Sequence, residues 1–397
     1  LSLFEALRTA VAGICAPWGA LTGIRPSKLI RAWLAEGLGE REITRILTDE
    51  IHCRRDKAEL ALAVARAEVK LTGRIFAKPG TAPNLPLGLY ISVPFCPSRC
   101  AYCSFNLSNQ KNDRRLYEAY LSALEVELRE KAEEARGLNG VVTSAYIGGG
   151  TPTVLPGGLL EKLMEITAPF TANGDVEFTV EAGRPDSITH EKLKIMKAYG
   201  VNRLAVNPQT LNDHTLAVIG REHTAADFFR AFEAARSAGF ECINTDIIAG
   251  LPGETPEDFE KTLNGILPLA PENFTVHTLA VKRSSRLNEA VRSGEAEALT
   301  PPEAVEEMHG AAKDACGRSG LTPYYLYRQK NAVGLSENVG YSKPGRECLY
   351  NIGMMAETQT VLGAGAGAVS KYVDGSRITR KFNVKNPELY IANQLNF

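Results

Sequence analysis

The first 75 residues place apolar and polar positions with a helical period. The segments beginning at Ser2, Pro26 and Asp56 each repeat apolar side chains three and four positions apart. That spacing buries one face of an amphipathic helix, so the pattern predicts a helical region over residues 1–76. The stretch AKPGTAPNLPLG that follows is polar and rich in proline and glycine, and it predicts a linker over 77–87.

From residue 88 onward, short apolar runs alternate with longer amphipathic segments. This alternation favours parallel strands joined by crossover helices. We therefore predict an α/β fold whose central part, 88–285, is a partial TIM-like (β/α)6 barrel, with its chemistry at the C-terminal ends of the strands. The predicted strands are LYISV (89–93), VTSAYI (142–147), VEFTVEA (176–182), NRLAVN (202–207), ECINTDIIAG (241–250) and NFTVHTLAV (273–281).

The last part of the chain has a mixed pattern. A helical segment, PPEAVEEMHGAAKDACG, precedes a strand-like TPYYLYRQ and a glycine-rich VLGAGAGAVSKYV. We interpret residues 286–397 as a C-terminal mixed α+β domain that closes the open side of the barrel.

Composition narrows the function classes. The chain has 45 Lys and Arg against 46 Asp and Glu, a formal net charge of −1, so no basic excess predicts binding to nucleic acid or to a membrane surface. Its apolar stretches are short and interrupted by charges, which argues against a bilayer span. Eight cysteines in 397 residues do not form a disulfide scaffold, and a reducing, cytoplasmic location fits this usage.

Three cysteines are clustered directly after the first predicted strand. Cys96, Cys100 and Cys103 lie within eight positions. A structural zinc normally takes four protein ligands, and a cubane iron–sulfur cluster normally takes four cysteines. Three thiolates on a cluster leave one iron open to an exogenous molecule. Zinc with a distant fourth ligand, and a loop of unconnected cysteines, are the alternatives.

The second predicted strand ends in IGGGTPTVL (147–155). Glycines in this position let a ligand approach the backbone and offer it N–H donors. Taken by itself, such a run also fits a plain tight turn.

The loop CPSRCAYC resembles the CxxxCxYC signature of the radical S-adenosylmethionine (SAM) superfamily. The glycine motif with its TPT narrows the match to the oxygen-independent coproporphyrinogen III dehydrogenase-like subfamily. GALTGIRPSKL and MMAETQTVLGAGAGAVS are similar to its HemZ-type branch. The resemblance implies a [4Fe–4S] cluster on the three cysteines, and SAM bound to the open iron as the source of a hydrogen-abstracting radical.

The same resemblance implies the residues around the first SAM. Tyr90 and Tyr102 fall where the family packs aromatic rings beside the cluster and SAM, and Glu181 falls where it has the carboxylate ligand of SAM. Without the resemblance, Glu181 would be interpreted as a strand-end charge facing solvent. The residues that match the glycine-motif contacts are Gly149, Gly150 and Thr151.

A second SAM beside the first is implied by four further positions. They lie at or near the ends of the fourth to sixth predicted strands, and the family places SAM contacts there. By itself, the carboxylate at the end of the fifth strand would equally cap a helix or pair with an arginine. The four residues are Gln209, Arg221, Asp246 and Ala280.

Two departures from the subfamily pattern bear on the reaction. Phe105 stands where the dehydrogenase has a further cysteine, and ECLYNIG (347–353) lacks the His and Trp of the H-N-x-x-Y-W segment of the heme-chaperone branch. We expect oxidative decarboxylation of coproporphyrinogen III in heme biosynthesis, with a low-potential electron donor such as flavodoxin or ferredoxin. The alternatives are a methyltransferase or another tetrapyrrole-modifying enzyme, and a heme-binding carrier.

Substrate contacts are predicted from chemistry alone. The propionates of a tetrapyrrole need cations near the barrel mouth, and arginine suits bidentate contact. Arg25, Arg283 and Arg286 are candidates, with His223 and His277 as proton carriers. Solvated surface cations and packed core histidines are the alternative interpretations.

Overall fold

The structure is a computed structural model that describes residues 16–75, 84–104, 113–172, 175–294, 299–375 and 377–395. The helix predicted from Ser2, most of the predicted linker and Phe105 therefore lie outside the described residues.

The strands and helices alternate through the middle of the chain. The strands are β1 (Leu85–Val93), β2 (Gly140–Gly149), β3 (Glu177–Glu181), β4 (Arg203–Ala205), β5 (Cys242–Ala249), β6 (Asn273–Thr278), β7 (Thr322–Arg328), β8 (Glu337–Ser342), β9 (Thr360–Ala364), β10 (Val369–Asp374) and β11 (Arg377–Phe382).

The helices before and within this alternation are α1 (Ser27–Ala35), α2 (Glu40–Arg45), α3 (Arg55–Ile75), α4 (Arg114–Gly137), α5 (Gly157–Thr171), α6 (His190–Ala198), α7 (Asp213–Val218), α8 (Ala225–Ser237) and α9 (Pro256–Ile266). Those after it are α10 (Arg286–Ser293), α11 (Pro302–Arg318), α12 (Leu349–Ala356) and α13 (Pro387–Leu395).

Six parallel strands form the centre of one sheet. Strands β1 to β6 are neighbours in sequence order and pair in parallel. Their side chains are mostly buried on both faces, as in β6, because helices cover a parallel sheet. Capping boxes at Thr224 and Thr255 start two of these helices. The predicted (β/α)6 architecture is confirmed.

The C-terminal strands extend this sheet at both edges. Strands β9, β10 and β11 continue it beyond β1, and β8 and β7 continue it beyond β6. Helix α12 contacts β2, β7 and β9. Since β7 and β9 lie toward opposite edges, the sheet curves around α12. Residues 286–397 thus contribute to the sheet of the barrel, and β1 begins at Leu85, inside the predicted linker.

The N-terminal helices pack against the β7 edge of the sheet. Helix α3 contacts β7, and Lys57 on α3 forms a buried ion pair with Glu337 on β8 at 2.6 Å. The indole of Trp18 donates to the same carboxylate at 3.0 Å. Breaking one partner of such a pair costs about 3–5 kcal/mol, so this contact fixes the N-terminal region to the sheet.

Among the described helices, none has both the length and the apolar character that crossing a membrane requires.

Candidate active site

The cysteine loop follows β1 directly and is bound to the glycine motif at the end of β2. The amide of Gly150 donates to the carbonyl of Val93 at 2.8 Å, and the amide of Thr151 donates to that of Phe95 at 2.7 Å. A Cβ atom at Gly150 would lie 2.3 Å from the Phe95 carbonyl oxygen. Only glycine therefore permits this approach of the two segments.

The far side of the loop is held by the ends of β3 and α7. Arg184 donates to the hydroxyl of Ser98 at 2.8 Å and binds Asp186 through two hydrogen bonds of 2.9 and 3.0 Å. The hydroxyl of Ser98 donates to the carbonyl of Gly220 at 3.0 Å, and the amide of Ala101 donates to that of Ile219 at 2.9 Å. The cysteine loop thus spans the C-terminal ends of the parallel strands.

The three thiols of the loop are half-buried and none forms a disulfide. Cys96 contacts the hydroxyl of Thr151 at 3.3 Å. Burial raises the pKa of Cys96 to about 12, and the neighbouring Cys100 and Cys103 add to the rise. Within the described residues, no three His, Cys, Asp or Glu side chains converge on a single ion.

This donor set fits a polynuclear cluster better than zinc. A structural zinc needs four ligands around one ion, whereas each cysteine on a [4Fe–4S] cluster binds a different iron. Three neighbouring thiols that share no single centre meet the second requirement. Cys96, Cys100 and Cys103 are therefore suited to hold a [4Fe–4S] cluster.

Glu181 lies beside the glycine motif and is not a strand-end charge in solvent. The hydroxyl of Tyr146 donates to its carboxylate at 2.6 Å, and a Cβ atom at Gly148 would lie 2.7 Å from the same group. Burial raises the pKa of Glu181 to about 7 and Asp246 adds to the rise, while Tyr146 and the Gly149 amide oppose it. The carboxyl group is therefore poised to change its charge near neutral pH.

Asp246 was predicted at the end of a strand, but it lies inside β5, three residues before Ala249. Among the described residues it neither caps a helix nor pairs with an arginine. Asn207 and Asn244 donate to its carboxylate at 2.9 and 2.7 Å, and His277 lies 3.6 Å away. Burial would raise the pKa of Asp246, but the hydrogen bond to His277 and the charge of His277 outweigh it and lower that pKa. Burial would lower the pKa of His277, but Asp246 raises it.

Gln209 and Arg221 carry polar atoms that have no internal partner. The side-chain oxygen of Gln209 and Nε of Arg221 are buried and accept or donate no hydrogen bond within the described chain. Gln209 also has a left-handed φ of 71°, which is uncommon for a residue other than glycine. The Arg221 guanidinium donates to the carbonyls of Asn207 and Gly183 at 2.5 and 3.2 Å. Buried orphan atoms of this kind favour an external polar partner.

Two of the remaining predicted contacts are tyrosines beside ionisable groups: Tyr102 lies next to Cys100 and Arg221, and Tyr90 lies near Glu181. Tyr90 stacks on Tyr146 with a centroid distance of 6.3 Å, and Tyr146 stacks on Tyr350 at 4.7 Å. Tyr102 packs against the apolar cluster that contains Leu216. Ala280 is buried and pairs with Ala332 through an isolated β-bridge.

The three predicted substrate cations have different surroundings. Arg25 forms an ion pair with Glu357. Arg286 donates to the backbone carbonyl of Arg99, and Arg283 is exposed in the segment after β6. His223 is buried, and burial together with Arg221 lowers its pKa to about 4, so it is neutral at pH 7.

Four residues of the site were not predicted from the sequence: Tyr146, Arg184, Asn207 and Asn244. Tyr146 precedes Gly149 by three positions on β2, and its partner is on the adjacent strand. A parallel pairing of β2 with β3 would have shown that Tyr146 and Glu181 end on the same edge. Arg184 lies three residues after Glu181 in the sequence. An arginine this close to a predicted site residue is the signal that could have identified it.

The fold and this site define a radical SAM protein. The sequence profile of the Radical SAM superfamily matches residues 90–266. The HemN protein of Escherichia coli, a coproporphyrinogen III oxidase described as a radical SAM enzyme, has a similar solved structure. The TM-score is 0.63 at 26% identity, over 80% of this chain and 70% of that one.

Two curated relatives narrow the subfamily. The oxygen-independent coproporphyrinogen-III oxidase-like protein HemZ of Bacillus subtilis is 37% identical over 388 residues, which cover 97% of this chain and 76% of the relative. The heme chaperone HemW of the same organism is 35% identical over 302 residues, 75% of this chain and 74% of the relative. The chain belongs to the radical SAM superfamily and, within it, to the HemN/HemW/HemZ-like subfamily.

Proposed function

We propose that this protein is a radical SAM enzyme that acts on a tetrapyrrole in the cytoplasm. The observation that carries the proposal is the contact between two segments. The loop with Cys96, Cys100 and Cys103 is bound through its backbone to Gly150 and Thr151, and Glu181 lies against the same glycine motif. When bound, the cluster and SAM supply reductive cleavage of the sulfonium and a radical that abstracts hydrogen from the substrate.

The glycine motif, Glu181 and Tyr146 have different roles in the SAM binding that we propose. Gly148 lets Glu181 approach the glycine motif, because a side chain at Gly148 would meet the carboxylate. In our proposal, Gly149 and Gly150 present their backbone to SAM. The Glu181 carboxylate is the acceptor for the cationic amino group of SAM, and Tyr146 orients that carboxylate through its 2.6 Å hydrogen bond. A cation beside Glu181 stabilises its ionised form, so binding expels the proton from the carboxyl group.

The opposite side of the mouth contributes the second set of polar groups. Gln209 and Arg221 offer orphan buried atoms, and Asp246 lies 3.6 Å from His277. These are the contacts that a second SAM, or a polar part of the substrate, takes in our proposal. Ala280 borders them without polar atoms.

The reaction we propose is oxidative decarboxylation of a propionate of coproporphyrinogen III. A hydrogen atom leaves the propionate side chain, carbon dioxide is lost, a vinyl group forms, and one electron passes to an acceptor. The names of the HemZ and HemN relatives support this substrate class. The half-buried free thiols of the cysteine loop fit the reducing conditions of the cytoplasm.

A heme chaperone is the second candidate function. It is favoured by the 35% identity to the heme chaperone HemW over 74% of that relative. A carrier would bind heme stably and would not couple SAM cleavage to a substrate.

One experiment separates the two functions. The protein is reconstituted anaerobically with iron and sulfide, reduced with dithionite, and supplied with SAM, with and without coproporphyrinogen III. We expect release of 5′-deoxyadenosine that rises with substrate, together with carbon dioxide and a vinyl product. Stable heme binding with no stimulation of SAM cleavage would favour the carrier, and formation of S-adenosylhomocysteine would favour methyl transfer.

A further inference from the structure

Four cations lie in the cysteine loop or in the segment after β6 that is hydrogen-bonded to it. Arg99 is in the loop itself, and Lys282, Arg283 and Arg286 follow β6. We call them the cationic patch. Arg283 and Arg286 are exposed, while Arg99 and Lys282 are half-buried. Within the described residues, none of the four forms an ion pair with a carboxylate, although Glu289 lies on the first turn of α10.

The cationic patch is joined to the metal-binding loop by direct bonds. Arg99 donates to the carbonyl of Ser284 at 2.9 Å, and Arg286 donates to the carbonyl of Arg99. The amide of Leu287 donates to the carbonyl of Ala101 at 2.9 Å. Arg99 precedes the ligand Cys100 by one residue, a Cα separation of about 3.8 Å. A partner on this surface would therefore lie immediately outside the cluster.

These bonds also change the interpretation of Arg283 and Arg286. Arg286 is directed at the backbone of the cysteine loop, and Arg283 is exposed to solvent. Both belong to the cationic patch. A role on this surface is an alternative to the propionate-binding role predicted for them from the sequence, which stays a prediction.

We propose that the cationic patch docks a small, acidic one-electron carrier of the flavodoxin or ferredoxin class, which reduces the cluster. This inference rests on the proposed function, because only a redox-active cluster needs such a partner. The carrier loses one electron, the cluster gains it, and no covalent bond forms or breaks. Electron-transfer encounters use small interfaces, and complementary charge raises their association rate.

The test compares two charge-reversal variants of the reconstituted protein. The first carries Lys282→Glu and Arg283→Glu in the cationic patch. The control carries Arg136→Glu on α4 and Lys261→Glu on α9, two exposed cations that pair locally with Glu133 and Asp258. Both variants change the net charge equally. Reduced flavodoxin is mixed with each protein anaerobically, without SAM, and bleaching of the cluster absorbance gives the reduction rate.

We expect the patch variant to be reduced about tenfold more slowly than wild type at low salt. The control variant should match wild type, and the difference should shrink at about 0.5 M salt because of screening. Reduction by dithionite should be equal in all three proteins. Binding of oxidised flavodoxin, followed by fluorescence titration, should weaken in the patch variant alone.

Equal flavodoxin rates in the patch variant and wild type would overturn the proposal, as would equal slowing in the control variant. Tighter binding of the patch to DNA or to anionic vesicles than to flavodoxin at the same salt would also overturn it. If the double variant does not fold, Arg283→Ala replaces it, with a smaller slowing expected. Failure of wild type to cleave SAM with dithionite removes the proposed function, whereas the docking test depends on cluster reduction alone.

Discussion

Buried polar groups at the two ends of the parallel strands differ in how completely they are hydrogen-bonded. At the N-terminal ends, which we call the floor, Glu177 accepts hydrogen bonds from the amides of Leu349 and Tyr350 at 2.8 and 3.0 Å and from the thiol of Cys348 at 3.3 Å. Arg203 lies 3.7 Å from the same carboxylate. These groups satisfy one another and fix the start of α12 to the barrel.

At the C-terminal ends, which we call the mouth, several polar atoms are left without partners. The side-chain oxygen of Gln209, Nε of Arg221 and both ring nitrogens of His223 are buried and unpaired within the described chain. Two hydroxyls near the floor, those of Ser144 and Thr179, also lack partners. Because an unpaired charged group costs more free energy than a neutral one, the mouth, where Arg221 lies, is the end at which we expect a ligand partner. The comparison assigns the floor to stability and the mouth to binding, as is usual for barrels of this kind.

The largest effect that would test this division is the loss of one cysteine at each end. Cys100→Ala should abolish the brown absorbance of the reconstituted cluster, because two thiols cannot replace three. Cys348→Ala on the floor should keep the full absorbance and lower the stability by about 1–2 kcal/mol through the lost thiol packing and hydrogen bond. A Cys348→Ala protein without a cluster would contradict the division.

The two carboxylates at opposite ends of β3 give the next comparison. Glu177→Gln should lower the free energy of unfolding by about 3 kcal/mol, because Arg203 then stays buried without its anion. Glu181→Gln should not lower it, since the folded state already raises the pKa of Glu181. For a carboxyl group this means that folding loses stability as the pH rises from the unfolded pKa to about 7, and the amide removes that loss. Urea unfolding near neutral pH measures both.

The fold was predictable where it depends on local pattern. Six apolar runs between amphipathic helices were enough for the (β/α)6 barrel, and the cysteine loop and glycine motif are continuous segments. Strand β9 pairs with β1, which places Tyr90 opposite Gly363. A local pattern cannot predict a contact between residues so far apart in the sequence. For the same reason, the position of α12 inside the curved sheet could not be predicted from the sequence.

The candidate site shows the same limit at the level of side chains. Glu181 and Asp246 were predicted through the family resemblance. Glu181 is the last residue of β3, whereas Asp246 lies inside β5, three residues before its end. Their environment could not be predicted, because Tyr146 comes from a neighbouring strand and Asn338, which contacts His277 at 3.3 Å, comes from β8. The sequence predicted which carboxylates matter and could not predict their charge.

That charge makes SAM binding depend on pH at the mouth. Because burial raises the pKa of Glu181 to about 7, the carboxylate that attracts the SAM cation is mostly protonated in mild acid. We expect the affinity for SAM to rise about tenfold between about pH 5.5 and about pH 7.5. In Glu181→Gln the affinity should be weak and nearly flat over this interval. Equilibrium dialysis with labelled SAM measures it, and a flat wild-type profile would contradict the role of Glu181.

The smallest expected effect separates orientation from packing. Tyr146→Phe removes the hydrogen bond to Glu181 and should weaken SAM binding about fivefold, since a typical hydrogen bond contributes about 1 kcal/mol net. Tyr350→Phe is the matched control, because Tyr350 stacks on Tyr146 and, among the described hydrogen bonds, none joins its hydroxyl to Glu181. Equal losses in both variants would reduce Tyr146 to a packing residue.

The central claim is that the three-cysteine loop and Glu181 form one SAM-binding cluster site. Its most direct test is the electron paramagnetic resonance spectrum of the dithionite-reduced, reconstituted protein, recorded before and after addition of SAM. We predict that SAM shifts the cluster signal in wild type, and that Glu181→Gln needs a much higher SAM concentration for the same shift. A wild-type signal that SAM leaves unchanged at saturating concentration would contradict the account.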